Sequence, residues 1–139
     1  MHVADPAHLH VVAQWVEKAE NDLTTAVFTL KLGRDSPTDI VCFHAQQCVE
    51  KYLKGLLIFY SIDFPKTHNI AAILLLMPPA IRLDISPHDQ ERLTDYATVT
   101  RYPGDYDPIT LTETRHAVSV ARRVRRHARR LLPKSTLRP

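Results

Sequence analysis

Residues 42–60 read CFHAQQCVEKYLKGLLIFY, and this stretch decides the fold. Its apolar residues cover most of the circumference of a helix, which is typical of a helix surrounded by other helices. Polar side chains nevertheless interrupt its first two-thirds, at His44, Gln46, Gln47, Glu50, Lys51 and Lys54. Polar groups that leave water need hydrogen-bond partners, so solvent, another subunit or a ligand has to satisfy them.

Four of these side chains share one face of the helix. His44, Gln47, Lys51 and Lys54 are spaced so that they lie above one another along a helical surface. Two ammonium groups, an imidazole and an amide are suited to a phosphate and to the hydrogen-bonding edge of a base. The same spacing also fits an ordinary solvent-facing surface stabilised by a Glu50–Lys54 ion pair.

Helical patterns also flank the quoted stretch. Apolar residues recur every three or four positions over residues 9–30, and Gly33 then predicts the end of a long first helix. Ser36, followed by a proline and by the acidic Asp39, predicts the start of a second helix that runs to about Tyr60. This second helix contains the quoted stretch and should be central.

The remainder of the chain continues the helical pattern. A short helix is expected over residues 68–77, and Ser86 predicts the start of another over 87–99. Thr110 marks the start of a last helix that ends before Pro133. The predicted fold is all-α, an antiparallel up-and-down helical bundle of four main helices plus one short helix.

Length and charge indicate one domain with a basic end. The 139 residues fit a single domain over 1–139, with a core at about 8–132 and a basic tail at 133–139 that we expect to be flexible. From Arg115 onward the chain has nine Lys or Arg residues and no Asp or Glu. Such a charge bias attracts polyanions or acidic proteins, although cations also stabilise the C-terminal end of a helix on their own.

Several classes of protein are excluded by what the sequence lacks. Cys42 and Cys48 lie six positions apart on one predicted helix, where their side chains diverge, so reduced thiols in a cytoplasmic protein are expected. No stretch has the roughly 18 apolar residues of a membrane span. HExxH, P-loop and GxGxxG motifs are missing from the sequence, so we expect no metal and no cofactor.

Four segments, in order and spacing, carry a resemblance to a known family. They read WVEKAENDL at 15–23, FHAQQCVEKYLKGLL at 43–57, PKTHNI at 65–70 and TRYP at 100–103. Together they resemble the HEPN domain family over most of the chain. The resemblance implies an up-and-down helical bundle, usually a homodimer, similar to the substrate-binding domain of certain nucleotidyltransferases. Family members often pair with a minimal nucleotidyltransferase in toxin–antitoxin systems, and many others are metal-independent ribonucleases.

The family's motifs, carried over to this chain, imply a nucleotide-binding surface. It would comprise His44, Gln47, Lys51, Lys54, His68, Arg101 and Tyr102. The protein would then be a non-enzymatic binder of a nucleotide or of a nucleotidylated substrate, partnered by a minimal nucleotidyltransferase. Arg101 can also be explained as a cation that neutralises the end of a helix.

Two alternatives remain open. Ribonucleases of the family use an Arg followed, after four to six residues, by a His, and Arg122 with His127 satisfies this spacing, as does Arg82 with His88. Six of the nine residues from 122 to 130 are arginine, so composition alone nearly guarantees the first match. A ribonuclease toxin acting on RNA is therefore the first alternative, and a purely structural dimerisation module is the second.

A homodimer is also expected from the second helix itself. Its large apolar side chains point to more sides than a small bundle can cover, which predicts a symmetric dimer. These residues are Phe43, Val49, Tyr52, Leu53, Leu56, Leu57, Phe59 and Tyr60.

Overall fold

The computed structural model of the chain describes residues 5–98, 104 and 107–137. These residues form α1 (Pro6–Leu30), α2 (Thr38–Phe59), α3 (Ile70–Leu75), α4 (Pro87–Tyr96) and α5 (Leu111–Leu131). Short 3-10 turns follow α1 and α5, and no strand occurs in the described ranges. The structure confirms the all-α antiparallel bundle of four main helices and one short helix.

Helix α2 lies at the centre of the bundle. The long helices α1 and α5 pack against it, and α3 and α4 contact it as well. Its side chains at Tyr52, Leu53, Leu56 and Leu57 are completely buried. The sequence stretch that is apolar around most of its circumference is therefore the part that the other helices surround, as its pattern predicted.

The burial of α2 is achieved within one chain. Of the eight large apolar residues that we expected to need a second subunit, five are completely buried here, and Phe43, Phe59 and Tyr60 are half-buried. The premise of that expectation is therefore wrong, because the other helices of the same chain already cover α2. The homodimer stays a prediction that rests on the family resemblance alone.

Helix starts follow local capping chemistry, with one exception. The Ser86 side chain accepts a hydrogen bond from the Asp89 backbone N–H at 3.1 Å, and Thr110 accepts one from Glu113 at 3.0 Å. Ser36 does not cap α2, which was wrongly predicted. Its hydroxyl instead donates to the carbonyl oxygens at the end of α1, because the turn at Gly33, with a φ of 61°, brings Ser36 against that helix end.

One helix and the segment after α5 differ from what the sequence pattern predicted. Helix α3 is shorter than the expected 68–77, since Asn69 caps its start by accepting from the Ala72 N–H at 3.0 Å. The described part of the tail expected at 133–139 forms a turn that contacts the core, and its flexibility stays a prediction. A 3-10 turn spans Lys134–Thr136, the side chain of Thr136 is buried, and Leu137 packs against the core.

Helix α4 is attached to α5 by a polar contact. Glu113 accepts hydrogen bonds from Arg92 Nη2 at 2.7 Å and from the hydroxyl of Tyr96. Burial tends to raise the pKa of Glu113, but the hydrogen bonds from Tyr96 and Arg92 hold it below its ordinary value. The carboxylate is therefore charged at neutral pH and holds the end of α4 on α5, directly before the segment that contains Arg101 and Tyr102.

Replacing a central α2 side chain should destabilise the fold strongly. Leu53→Ala removes a completely buried side chain and is expected to lower the free energy of unfolding by about 2–5 kcal/mol, measured by urea denaturation. Leu75→Ala is the matched control, because Leu75 is 74% exposed and its truncation should change stability by less than about 0.5 kcal/mol. Equal effects of the two substitutions would contradict the central position of α2.

Candidate functional site

The polar face of α2 is divided between two carboxylates. One group, called here the outer cluster, consists of Asp22 of α1 with His44 and Lys51 of α2. The other, called the inner cluster, consists of Gln46, Gln47, Glu50, Lys54 and His68. The four residues that share one face in the sequence thus belong to two separate hydrogen-bond networks.

The outer cluster lies at the surface, and α1 supplies the carboxylate that holds it in place. Asp22 accepts hydrogen bonds from His44 Nδ1 at 2.8 Å and from Lys51 Nζ at 2.5 Å. The side chain of Asp22 is 11% exposed, whereas those of His44 and Lys51 are 27% and 24% exposed. A nearly buried carboxylate therefore fixes two half-exposed nitrogen groups in position, which costs them less conformational entropy when a ligand binds.

The inner cluster centres on Glu50, which is buried together with Gln46 and Lys54. Its carboxylate accepts from Gln46 Nε2 at 2.9 Å, from His68 Nδ1 at 2.8 Å and from Lys54 Nζ at 3.0 Å. Burial tends to raise the pKa of Glu50, but the hydrogen bonds from Gln46, His68 and Lys54 hold it below its ordinary value. Glu50 is therefore an ionised buried carboxylate whose oxygens are satisfied by the protein itself.

Lys54 is placed differently from the prediction. Lys54 is only 6% exposed. Its ammonium group donates to Glu50 and lies 5.7 Å from the centre of the Phe64 ring. An ammonium in this position is not presented to solvent. Of the predicted surface on α2, the side chains that retain exposure are His44, Gln47 and Lys51.

His68 completes the face from outside α2. It precedes α3, its side chain is 67% exposed, and its Nδ1 donates to Glu50. Both His44 and His68 thus direct Nδ1 at a carboxylate, and Nε2 of each ring has no hydrogen-bond partner in the described ranges. Such a nitrogen accepts a hydrogen bond when the ring is neutral and donates a hydrogen bond to an anion when the ring is charged.

Asp22 is the residue of the candidate site that the sequence analysis did not identify. It follows Ala19 by three positions and precedes Ala26 by four, so it occupies the apolar stripe of α1. An acidic residue in the buried stripe of a helix is a recognisable signal for a partner on the facing helix. Arg101 and Tyr102, which belong to the predicted nucleotide-binding surface, lie outside the described residues.

Arg122 and His127, the first pair of the ribonuclease alternative, lie on different sides of α5. Arg122 and His127 lie about 140° apart around α5. His127 Nε2 donates to the carbonyl oxygen of Ile81 at 2.7 Å, and Arg82 Nη2 donates to that of Met77 at the same distance. These contacts support structural roles for His127 and Arg82 in holding the segment between α3 and α4.

Other reactive groups offer little chemistry. Cys42 and Cys48 are free and buried. Burial raises the pKa of the Cys42 thiol to about 11 and also raises that of Cys48, so neither is a thiolate at neutral pH. The described residues contain no cluster of His, Cys, Asp and Glu that could hold a metal ion. Among the same residues, no helix is long and apolar enough to cross a membrane.

Comparisons with known proteins agree on one family. The model of the HEPN domain matches residues 12–131. The structure of TT1696 from Thermus thermophilus superposes with a TM-score of 0.70 at 27% identity and covers 87% of this chain and 98% of that one. ST0689, an archaeal HEPN homologue, gives a TM-score of 0.64 at 29% identity and covers 86% and 96% of the two chains. No curated protein matches the chain.

Removing the buried carboxylate should be strongly destabilising. Glu50→Gln leaves the ammonium of Lys54 buried without a counter-charge, so we expect the free energy of unfolding at pH 7 to fall by about 3–5 kcal/mol in urea denaturation. Because the pKa of Glu50 is lower in the folded state, its contribution is present above the unfolded-state pKa and is lost as pH falls through the folded-state value. The difference between wild type and variant should therefore shrink between pH 7 and pH 3.

The matched control for that measurement is Glu91→Gln, because Glu91 is an exposed carboxylate on α4. Its substitution should change stability by less than about 0.5 kcal/mol at either pH. A pH-independent difference between Glu50→Gln and wild type would show that the ionised carboxylate is not the stabilising group.

His127 should prove structural and not catalytic. His127→Ala removes the hydrogen bond to Ile81 and is expected to lower the free energy of unfolding by about 1 kcal/mol. Any cleavage of RNA by the purified protein should be unchanged, as measured with a fluorescent oligonucleotide under conditions in which the variant is folded. Loss of a robust cleavage activity in the folded variant would favour the ribonuclease alternative.

Proposed function

This chain belongs to the HEPN domain family, and from that premise we propose that it binds a nucleotide, or the nucleotidyl group of a modified substrate, on the polar face of α2. In this proposal the protein is not itself an enzyme. It acts beside a minimal nucleotidyltransferase that supplies the chemistry, as a two-protein system of the toxin–antitoxin kind.

The outer cluster is the observation that carries the proposal. Lys51 and His44 are held side by side by Asp22, at the surface of an otherwise buried helix. A fixed ammonium and an imidazole whose Nε2 makes no hydrogen bond to the described residues provide two nitrogen groups for one phosphate. The amide of Gln47, one helical turn away, is a donor and acceptor that suits the edge of a base.

The inner cluster supports the site from below. Gln47 Nε2 donates to Gln46 Oε1 at 2.7 Å, and Gln46 in turn donates to Glu50. These contacts determine the orientation of the Gln47 amide. A buried ion pair such as Glu50–Lys54 is weak evidence for stability, because the loss of hydration offsets most of the attraction. Its presence is more easily understood if it positions the polar face for binding.

Charge balance sets a condition on the ligand. Asp22 and Glu50 offset the charges of Lys51 and Lys54, so the face is nearly neutral when its two imidazoles are neutral. A phosphate on this face therefore needs positive charge from outside these two ion pairs. Arg101, which follows α4 in the chain, would add a permanent positive charge to the site in this proposal.

The same face is open to a macromolecular substrate as well as to a free nucleotide. The exposed His68 lies beside Glu50 at its rim, so a phosphate here could be one end of a larger, nucleotidylated molecule. If a minimal nucleotidyltransferase is encoded next to this chain, co-expression of the two proteins, followed by size-exclusion chromatography, tests the partnership directly. Separate elution of the two proteins, with no change in nucleotidyl transfer when they are mixed, would contradict this part of the proposal.

Substitution of the cations should weaken nucleotide binding. Lys51→Ala removes one charge-assisted contact, and we expect the affinity for ATP or GTP, measured by isothermal titration calorimetry, to fall about tenfold or more. Adding Arg101→Ala should bring the loss to roughly a hundredfold if the two effects are additive.

Lys18→Ala is the control for this experiment, since Lys18 is exposed on α1 outside both clusters. It should leave the dissociation constant unchanged. Equal binding by wild type and the double variant would reduce these residues to ordinary surface groups. If neither nucleotide binds to the wild type, alone or with its nucleotidyltransferase, the proposed function is wrong.

A further inference from the structure

A groove between α1 and α5 combines an apolar wall with a basic wall. It has a volume of about 440 Å³ and will be called the α1–α5 groove. The apolar wall belongs to α1 and consists of Leu23, Val27 and Phe28, and the basic wall belongs to α5 and consists of Arg122, Arg125 and Arg126. None of these residues belongs to the outer or the inner cluster.

The basic wall carries charge that the protein leaves unbalanced. Glu20 is the acidic residue in the lining, and it accepts hydrogen bonds from Arg125 Nε at 2.9 and 3.1 Å and from Arg129 Nη1 at 3.0 Å. One carboxylate thus serves two guanidinium groups. Arg122 and Arg126 are exposed and make no hydrogen bond or ion pair within the described part of the chain.

The apolar wall is equally incomplete. Phe28 is 65% exposed, and it stands beside Leu23 and Val27 along the groove. Single exposed apolar residues are common on protein surfaces. Here, however, the exposed ring is aligned with aliphatic neighbours and faces a row of guanidinium groups, so the groove is amphipathic across its width.

We infer that the α1–α5 groove docks an acidic amphipathic helix of another protein. The apolar face of such a helix would contact Leu23, Val27 and Phe28, and its carboxylates would contact Arg122 and Arg126. These two arginines are four residues apart, which is one helical turn, so they match carboxylates that are themselves three or four residues apart on the partner. Guanidinium groups bind carboxylates through two parallel hydrogen bonds, which adds orientation to the charge attraction.

The charges and shape of the groove favour this occupant over two others. A second copy of the chain docking groove to groove would bring the same unbalanced arginines against each other, which is repulsive. A nucleic acid would use the arginines but would leave the aliphatic side chains of the apolar wall against a polar backbone. Phe28 is the aromatic residue among those that line the groove, and its ring already has the ammonium of Lys31 4.5 Å from its centre.

The inference is independent of the nucleotide site and is tested with a defined probe. The probe is a fluorescent 16-residue peptide helix with leucines along one face and glutamates at both edges of that face. Binding to the full chain is measured by fluorescence anisotropy at low and at physiological salt. We expect saturable binding, and we expect a peptide of the same composition in scrambled order to bind at least about tenfold more weakly.

Variants locate the binding to the groove. Arg122→Ala with Arg126→Ala should weaken peptide binding about tenfold or more and reduce its dependence on salt, and Phe28→Ala should weaken it without changing the salt dependence. Arg115→Ala with Arg130→Ala is the matched control. It removes the same charge from exposed positions of α5 that do not line the groove, and the affinity should change less than about threefold.

Several results would overturn the inference. The first is no binding of the amphipathic peptide at millimolar concentration, and the second is equal binding of the scrambled peptide. Equal losses in the two double-arginine variants would reduce the effect to net charge. A single-stranded RNA oligonucleotide that binds more tightly than the peptide and loses affinity in the groove variants would assign the groove to RNA. A mass that falls from dimer to monomer on Phe28→Ala, measured by light scattering, would assign it to a second copy.

Discussion

Helix α2 has to be buried on nearly every side, including the side that carries its charged residues, and this constraint determines much of the structure. A buried ion needs both a counter-charge and hydrogen bonds, otherwise the loss of hydration opposes folding. The fold meets the requirement by bringing one carboxylate, Asp22, from α1 and by donating to another, Glu50, from the segment before α3. The lengths of α1 and of the connection after α2 matter because they deliver these partners.

The same constraint shapes the candidate site. Each carboxylate gathers cations and imidazoles that would otherwise form one continuous basic face. The face is therefore nearly neutral, and Glu50 and Lys54 within it are buried. Lys54 lies in the interior, where its ammonium contacts Glu50 and the Phe64 ring. Lys51 stays near the surface, because its partner Asp22 lies close to the surface. A ligand on this face would meet groups that are already oriented and already partly neutralised. Binding of an anion would therefore depend on positive charge supplied from elsewhere, such as that of Arg101.

A similar division occurs at the basic end of the chain. The excess of arginine on α5 is compatible with a polyanion-binding surface or with a solvated helix end. Tertiary contacts determine which of these arginines are paired within the protein. Arg125 and Arg129 share Glu20, and Arg123 donates to the carbonyl oxygen of Asp84 at 2.7 Å. What remains beside the apolar residues of α1 is a small part of the original excess, with a definite position and spacing. A net charge calculated from composition does not contain that information.

The sequence by itself determined the helices, because their signals are local. Apolar periodicity identified α2 as central, and Ser86 and Thr110 marked helix starts through contacts only three residues long. The i, i+4 pair of Glu50 and Lys54 was also within reach of spacing arguments. The tertiary structure decided the rest, since the partners are distant in the chain: Lys51 is 29 residues from Asp22, and His68 is 18 from Glu50. Ser36 is a nearer case, because the turn at Gly33 brings its hydroxyl back against the last carbonyls of α1. Periodicity assigns a residue to a face of its own helix, but only packing places a particular carboxylate opposite that face, and that carboxylate determines which cations are exposed.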